Sequence, residues 1–524
     1  MIRPTFMGFE TAKKGLTTAQ KGLDIAGQNL TNWDSVGYTR QRVTQAAVSA
    51  DTYRTRYASS NVAGAGQGVD IKGIDQVRDV YLDRRFREES GDVGYYSNAS
   101  NILNDIQNAI NEYDPLGDTG LRMSFLNIND ALQRFSVNSY SETHANIVAT
   151  EFKSLAQTLQ QISVDLADTR SQQVYNMEVS VQDVNKKLQQ IAELNKNIME
   201  SESIISNAYF GPNELLDERN LLLDELSQYV DMSYETNADG SLKVTVNGHV
   251  AVDGSKYDKL DVTRDENTDV IGINWVSTGQ AAPLTTGTLK ASLNYINGRG
   301  PNLQNPGEST EYGFLYYQDK LDTLAREFAQ VVNNIIPEVD ENGDIKKDAE
   351  GNILYRKLMG AMAENPDANG VYNVDPNEKI TASNIAITNE WSNNSNYIIF
   401  QSNEDGTAEN VANYALAMAE ALSEGTHVFD NSGELFQGTF LDYIKGYVTT
   451  LAEDISFVEN RSSATSTIAT SLQDSRDSVS GVVVDEEVAN VMLYQKSLSA
   501  ASRLMTAMDE ALDVIVNKTG LVGR

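Results

Sequence analysis

His144, His249 and His427 are the chain's complete set of imidazoles, so a histidine metal site or general base would have to be built on them. They fall on a predicted helix start, a hairpin and a loop, with no H-E-x-x-H spacing, and each reads as structural. The absence of cysteine removes thiol nucleophiles, disulfides, iron–sulfur clusters and cysteine zinc sites together, and makes folding independent of redox compartment. Gly64, Gly66 and Gly68 alternate, but a dinucleotide fingerprint needs another spacing after a buried strand, so they read as a turn. Asp340, Asn342 and Asp344 open like a calcium loop, yet Ile345 stands where that loop needs glycine; a tight hairpin turn accounts for the same residues. Phosphate loops, kinase signatures and the nucleophile elbow are missing. No catalytic, cofactor or metal residue is assigned, and an enzyme is not expected.

Charge narrows the partners. Against 41 Lys and Arg stand 74 Asp and Glu, a net of −33, which repels nucleic-acid phosphates and anionic lipid. No apolar run reaches the roughly 18 residues of a membrane span, and residues 1–16 lack a secretory h-region and cleavage site. Neither nucleic-acid binding nor membrane insertion is expected. With 40% apolar residues over 524 positions, the chain can pack cores for several domains.

The elements that would hold any site are helical at both ends. Phe9, Ala12, Leu16, Ala19, Leu23, Ala26 and Leu30 recur in steps of three and four, which is a coiled-coil seam. Val491, Tyr494, Leu498, Ala501, Met505, Met508, Leu512 and Ile515 repeat the rhythm at the other end, with Asp485 read as N-cap, Glu486 and Glu487 in the first turn and Gly520 as the stop. Three alanines keep the first seam narrow, so neither helix buries much surface alone and each needs a partner. That partner is another helix of the domain, the opposite terminus or a neighbouring subunit. Residues 1–45 hold six Lys/Arg against three Asp/Glu and residues 481–524 four against six. The ends are thus near neutral, which suits close packing of many copies.

The longest helical pattern spans residues 143–201 and slips by one residue around Arg170; unbroken, it is a rod of roughly 85 Å. Helices are also predicted over 102–110, 121–135, 213–230, 316–335, 409–422 and 443–476. Between them, Asp239-Gly240, Asn247-Gly248 and Asp253-Gly254 punctuate alternating runs, as hairpins require. The expected fold is mainly α with an inserted β-rich domain: terminal helices 1–45 and 485–524 paired as a coiled coil, an elongated helical bundle over 46–230, 287–335 and 407–484, and an outer discontinuous β domain over 231–286 and 336–406.

The stretch Asn29-Leu30-Thr31-Asn32-Trp33-Asp34-Ser35-Val36-Gly37-Tyr38-Thr39-Arg40-Gln41 resembles the N-terminal signature of bacterial flagellar rod, hook and hook-associated proteins, N-L-A-N-x-x-T-P-G-Y-x-R-Q. Val36 replaces the proline of that pattern, which leaves the turn less rigid. Residues 480–490, then Tyr494-Gln495-Lys496 and Ala507-Met508-Asp509-Glu510, are similar to the paired C-terminal signature. Residues 66–87, Asp118-Thr119-Gly120-Leu121, 213–227 and 321–333 narrow the resemblance to the hook-associated members at the hook–filament junction. It covers the helical framework and fades over 231–286 and 336–406.

The resemblance implies an extracellular structural subunit forming a ring at the distal end of the hook and joining the bendable hook to the stiffer filament. It further implies export in unfolded form by the flagellar type III pathway, without a cleaved signal peptide. Terminal helices that pair along the central channel and order only on assembly are implied too. So are four partners: hook protein, the second junction protein, the export apparatus, and a cytoplasmic chaperone holding the C-terminal helix. On this reading the assembly interface comprises Phe9, Leu16, Leu23 and Leu30; Asn29, Asn32, Gly37, Tyr38, Arg40 and Gln41 around the turn; Asp485 and Glu486; and Val491, Tyr494, Leu498, Met505, Met508, Leu512 and Ile515. Two alternatives stay open: another axial component (hook, distal rod or second junction protein), or an adhesin that binds through the β-rich insert.

Overall fold

The computed structural model describes residues 5–47, 68–111, 120–138, 141–204, 211–265, 268–302, 308–340, 344–367, 370–399, 409–431 and 433–518. Gly64, Gly66, Asp118, Thr119, Asn342, Gly520 and residues 400–405 of the second strand-rich segment lie outside them.

Helices dominate: α1 (Thr5–Thr31), α2 (Val80–Ile110), α3 (Leu121–Val137), α4 (Glu142–Ile204), α5 (Asn213–Ser227), α6 (Thr288–Ile296), α7 (Phe314–Val332), α8 (Asn389–Asn393), α9 (Glu409–Ser423), α10 (Phe440–Ser480) and α11 (Val484–Asp513). The strands form small separate antiparallel sheets. β1 (Gln41–Ala47) pairs with β2 (Val69–Gln76). β3 (Met232–Thr236), β4 (Leu242–Val246), β5 (His249–Asp253) and β6 (Lys256–Tyr257) make a meander beside the pair β7 (Leu260–Arg264) and β8 (Ile271–Trp275). β9 (Met359–Met362) lies between β10 (Val374–Asp375) and β11 (Ile385–Ile387), and β12 (His427–Asn431) pairs with β13 (Glu434–Gly438).

Two hydrophobic cores share α4. Its first half, from Ala145 to Leu166, packs with α3, α7, α10 and β9–β11 around Phe125, Phe152, Phe328 and Phe440. Phe125 stacks on Phe440 and meets Phe328 edge-on, both at 5.4 Å, and burying each ring contributes roughly 1.5–3 kcal/mol. Its second half, from Met177 to Leu194, packs with α5, α6 and β3–β8. The changeover falls at Arg170, which is 9% exposed, donates from Nε to the Ile296 carbonyl at 3.1 Å and pairs with Asp269. The one-residue register slip at this position is therefore where one helix turns its apolar stripe from one core to the other.

The strand-rich segments, expected together as one outer domain, lie in separate sheets on separate cores: residues 232–275 on the second and 359–387 within the first. Each segment buries its apolar residues in its own core, so neither needs the other to cover them. The β1–β2 and β12–β13 hairpins interrupt stretches expected to be helical.

A recurring device fixes strands to helices. Asn185 donates to the Leu260 carbonyl and accepts from the Leu260 N–H, both at 2.8 Å. Asn297 does the same with Ile271 at 2.7 and 2.9 Å, and Asn333 with Met359 at 2.8 Å in both directions. Asn195, fully buried, donates to the carbonyls of Leu242 and Gly254 and accepts from Leu242 N–H and Arg219. In each case one amide side chain satisfies both backbone groups of a strand residue, as a neighbouring strand would.

Candidate functional site: a joint between the terminal helices and the body

The terminal helices lie side by side and antiparallel. Gly8 faces Met508, Gly15 faces Ala501 and Gly22 faces Tyr494, each step moving seven residues forward on α1 and seven back on α11. A Cβ on Gly8 or Gly22 would overlap its partner, whereas at Gly15 it would sit 3.8 Å from Ala501. Phe9, Leu16, Leu23 and Leu30 are half-buried beside this glycine row, and Ala12, Ala19 and Ala26 are buried. Sequence reasoning picked the larger residues of the seam and missed the glycines; their seven-residue spacing was the available signal.

On α11, Val491, Tyr494, Leu498, Ala501, Met505, Met508 and Leu512 are all half-buried in one stripe. Ile515 departs from it, half exposed in the π-helical turn Val514–Lys518. The N-cap is Val483, whose side chain makes no capping bond, and not Asp485. Asp485 sits inside the first turn, where its charge still favours the helix dipole.

The turn after α1 closes on itself. Asn29, 1% exposed, donates to the Gln41 carbonyl at 2.9 Å and accepts from the Gln41 N–H at 3.0 Å and the Tyr38 hydroxyl at 2.8 Å. This is the strand-mimicking amide again, here joining α1 to β1. Asn32 donates to the Gln28 carbonyl at 3.0 Å. Gly37 takes φ of +81°, a left-handed conformation that suits glycine, and lies against Leu221 of α5. Gln41 accepts from Asn213 at 3.1 Å, and Gln76 donates to Asp217 at 2.8 Å. Burial pushes the Asp217 carboxyl up to about 6, against the lowering pull of Thr39 and Arg78. Burial, reinforced by Asp217, Glu214 and Glu487, also raises the Tyr38 phenol.

Arg40 connects three elements. Its N–H donates to the carbonyl of Ser480, the last residue of α10, at 2.9 Å, and its own carbonyl accepts from Val77 at 2.9 Å. Its guanidinium reaches Glu487 at 2.7 Å and Glu486 at 3.0 Å in the first turn of α11. The end of α10 is tied separately, through Arg476 to Asp224 at 2.8 Å and over the Phe86 ring at 4.4 Å, with Arg87 also on Asp224 at 2.6 Å. Beside this joint opens a cleft of about 480 Å³ lined by residues 33–39, Arg78, α5 and residues 473–483. Trp33 and Val36 stand on its rim at 59% and 86% exposure.

The histidines stay apart: His144 meets Ser141, His249 pairs with Asp258 at 2.8 Å and stacks on Trp275, and His427 bonds the Ala421 carbonyl. Among the described residues no group of three or more metal-binding side chains forms. Of the Asp340 to Asp344 segment, residues 341–343 lie outside the described residues; the Asp344 N–H donates to the Asp340 carboxylate at 2.9 Å.

The chain is thus a two-core helical frame whose distant ends pair with each other and meet the body at one polar joint. A family model described as the flagellar hook-associated protein FlgK helical domain matches residues 103–348. Flagellar hook-associated protein 1 of Bacillus subtilis is 28% identical, covering 99% of both chains. The protein of that name in Escherichia coli is 23% identical over 97% of this chain and 98% of its own. The flagellar hook junction protein FlgK from Burkholderia pseudomallei shares the fold with a TM-score of 0.53 at 14% identity, covering 76% of this chain and 100% of that one. Over nearly its whole length the chain is similar to flagellar hook-associated protein 1 (FlgK), a structural protein of the flagellum.

Proposed function

We propose that the chain is a subunit of the ring at the distal end of the hook, outside the cell, where it joins hook to filament through its terminal helices. The terminal assembly domain is then residues 1–45 with 485–524, its helices paired as a coiled coil along the central channel. The observation that carries this reading is that Glu487 is the one buried residue of the thirty in α11, while Met492, Leu493 and Leu504 are 46–58% exposed. A helix that leaves its apolar residues half in water gains its stability from neighbours, and here the neighbours are further copies, the hook protein and the second junction protein.

Export in unfolded form by the flagellar type III pathway fits a chain whose cores are closed without any disulfide. The exposed apolar residues of α11 suit capture by a cytoplasmic chaperone before export. Cells lacking the chain are expected to carry bare hooks and to shed filament protein into the medium; filaments of normal number and length on such cells would overturn the proposal.

A further inference from the structure

α11 begins without a start signal of its own. Val483 provides no capping side chain, and the preceding helix ends at Gly481, whose extended backbone brings it so close to the Asp477 carbonyl that a Cβ would not fit. Starting a helix is the costly step, since several residues are fixed for the first hydrogen bond, whereas extension is nearly free. Three first-turn carboxylates, Asp485, Glu486 and Glu487, favour the helix dipole but repel one another. The Arg40 guanidinium holds two of them at once, and the Glu487 side chain is 3% exposed against 23% for Arg40. Among the described residues no other side-chain hydrogen bond or ion pair links this first turn to the rest of the chain. Arg40 is itself fixed at both backbone groups, to Ser480 and Val77.

We infer that Arg40 is a positioning residue that holds the first turn of α11 as a preformed seed, from which the helix extends when neighbouring subunits arrive. The inference rests on reading α11 as a helix completed by assembly. The pinned turn removes the nucleation step and fixes the direction in which α11 leaves the body. Lysine could hold one carboxylate as a point charge, but the planar fork of arginine is needed to hold two.

Hydrogen exchange on the full-length, unassembled chain tests this. In the unmutated protein, amides of residues 487–491 should be protected at least about tenfold more than those of 500–513. Arg40→Ala should bring the two segments to the same fast rate, Glu487→Gln should do so from the other side of the pair, and Arg40→Lys should fall between. Amides of α4 should not change in any variant, which separates positioning from general destabilisation. Should Arg40→Ala fail to fold, Glu487→Gln keeps the size of the side chain and decides the matter. Equal fast exchange along α11 in the unmutated chain, or protection unchanged in both variants, overturns the seed and leaves the junction reading standing, because that reading is scored by bare hooks. Uniform strong protection of α11 overturns the seed together with the premise of completion by assembly.

Discussion

Gly22 of α1 lies flat against the ring of Tyr494 of α11, with no space for a single methyl group between them. The same helix pair accommodates a Cβ at Gly15, seven residues earlier. Two glycines in one row are thus under different constraints. Gly15→Ala should gain up to about 1 kcal/mol from helix propensity and leave assembly intact. Gly22→Ala should push the tyrosine aside at a cost of roughly 1–3 kcal/mol. The fraction of hooks bearing filaments should be unchanged in the first and reduced in the second.

Leu23 and Leu498 are half-buried on the two seams. Leu23→Asp or Leu498→Asp should abolish incorporation while the two cores still unfold at their usual urea midpoint. Normal incorporation of either variant would show that assembly does not use these helices.

The Asp217 carboxyl, raised to about 6 from an ordinary value of 3.8, makes the folded chain prefer the protonated form. A folded-state pKa above the unfolded one means that this group lowers stability as pH rises from about 4 through 6, and the full penalty stands above that window. Asp217→Asn should remove this part of the slope and gain on the order of 1 kcal/mol at pH 7.5, with little change at pH 3.5. Urea titrations at the two pH values check both the sign and the window.

Removing the Asn195 side chain takes away the partner of the Leu242 N–H and carbonyl and of the Gly254 carbonyl at a buried site, and leaves Arg219 with one acceptor fewer beside the Gly240 carbonyl. Asn195→Ala should therefore cost about 2–4 kcal/mol, more than a typical buried polar truncation. The second core should show it as a lowered urea midpoint, and Asn195→Asp should be nearly as damaging because a carboxylate cannot donate to the two carbonyls.

Apolar rhythm made the long helix and both seams legible from sequence, and even the slip at Arg170 marked a real event, the passage from one core to the next. What rhythm does not record is polar order. Asn195 sits within an apolar repeat as though it were a lapse, and nothing in its spacing tells that its amide docks a strand. The first half of α2 was unreadable because buried Arg87, Ser90 and Gly91 replace an apolar stripe with ion pairing and close backbone contact. At the joint, the turn motif was visible, but the reach of Arg40 across more than four hundred residues to Glu487 requires the fold.

The asparagine docks at positions 29, 185, 195, 297 and 333 make the protein sensitive to slow chemical ageing. Deamidation would replace an N–H donor with a negative oxygen aimed at a carbonyl, turning a fastening into a repulsion against a strand. A long-lived extracellular structure built on such amides should lose strand anchorage one dock at a time, and the burial of Asn29 and Asn195 at 1% and 0% exposure keeps from them the water that the reaction consumes.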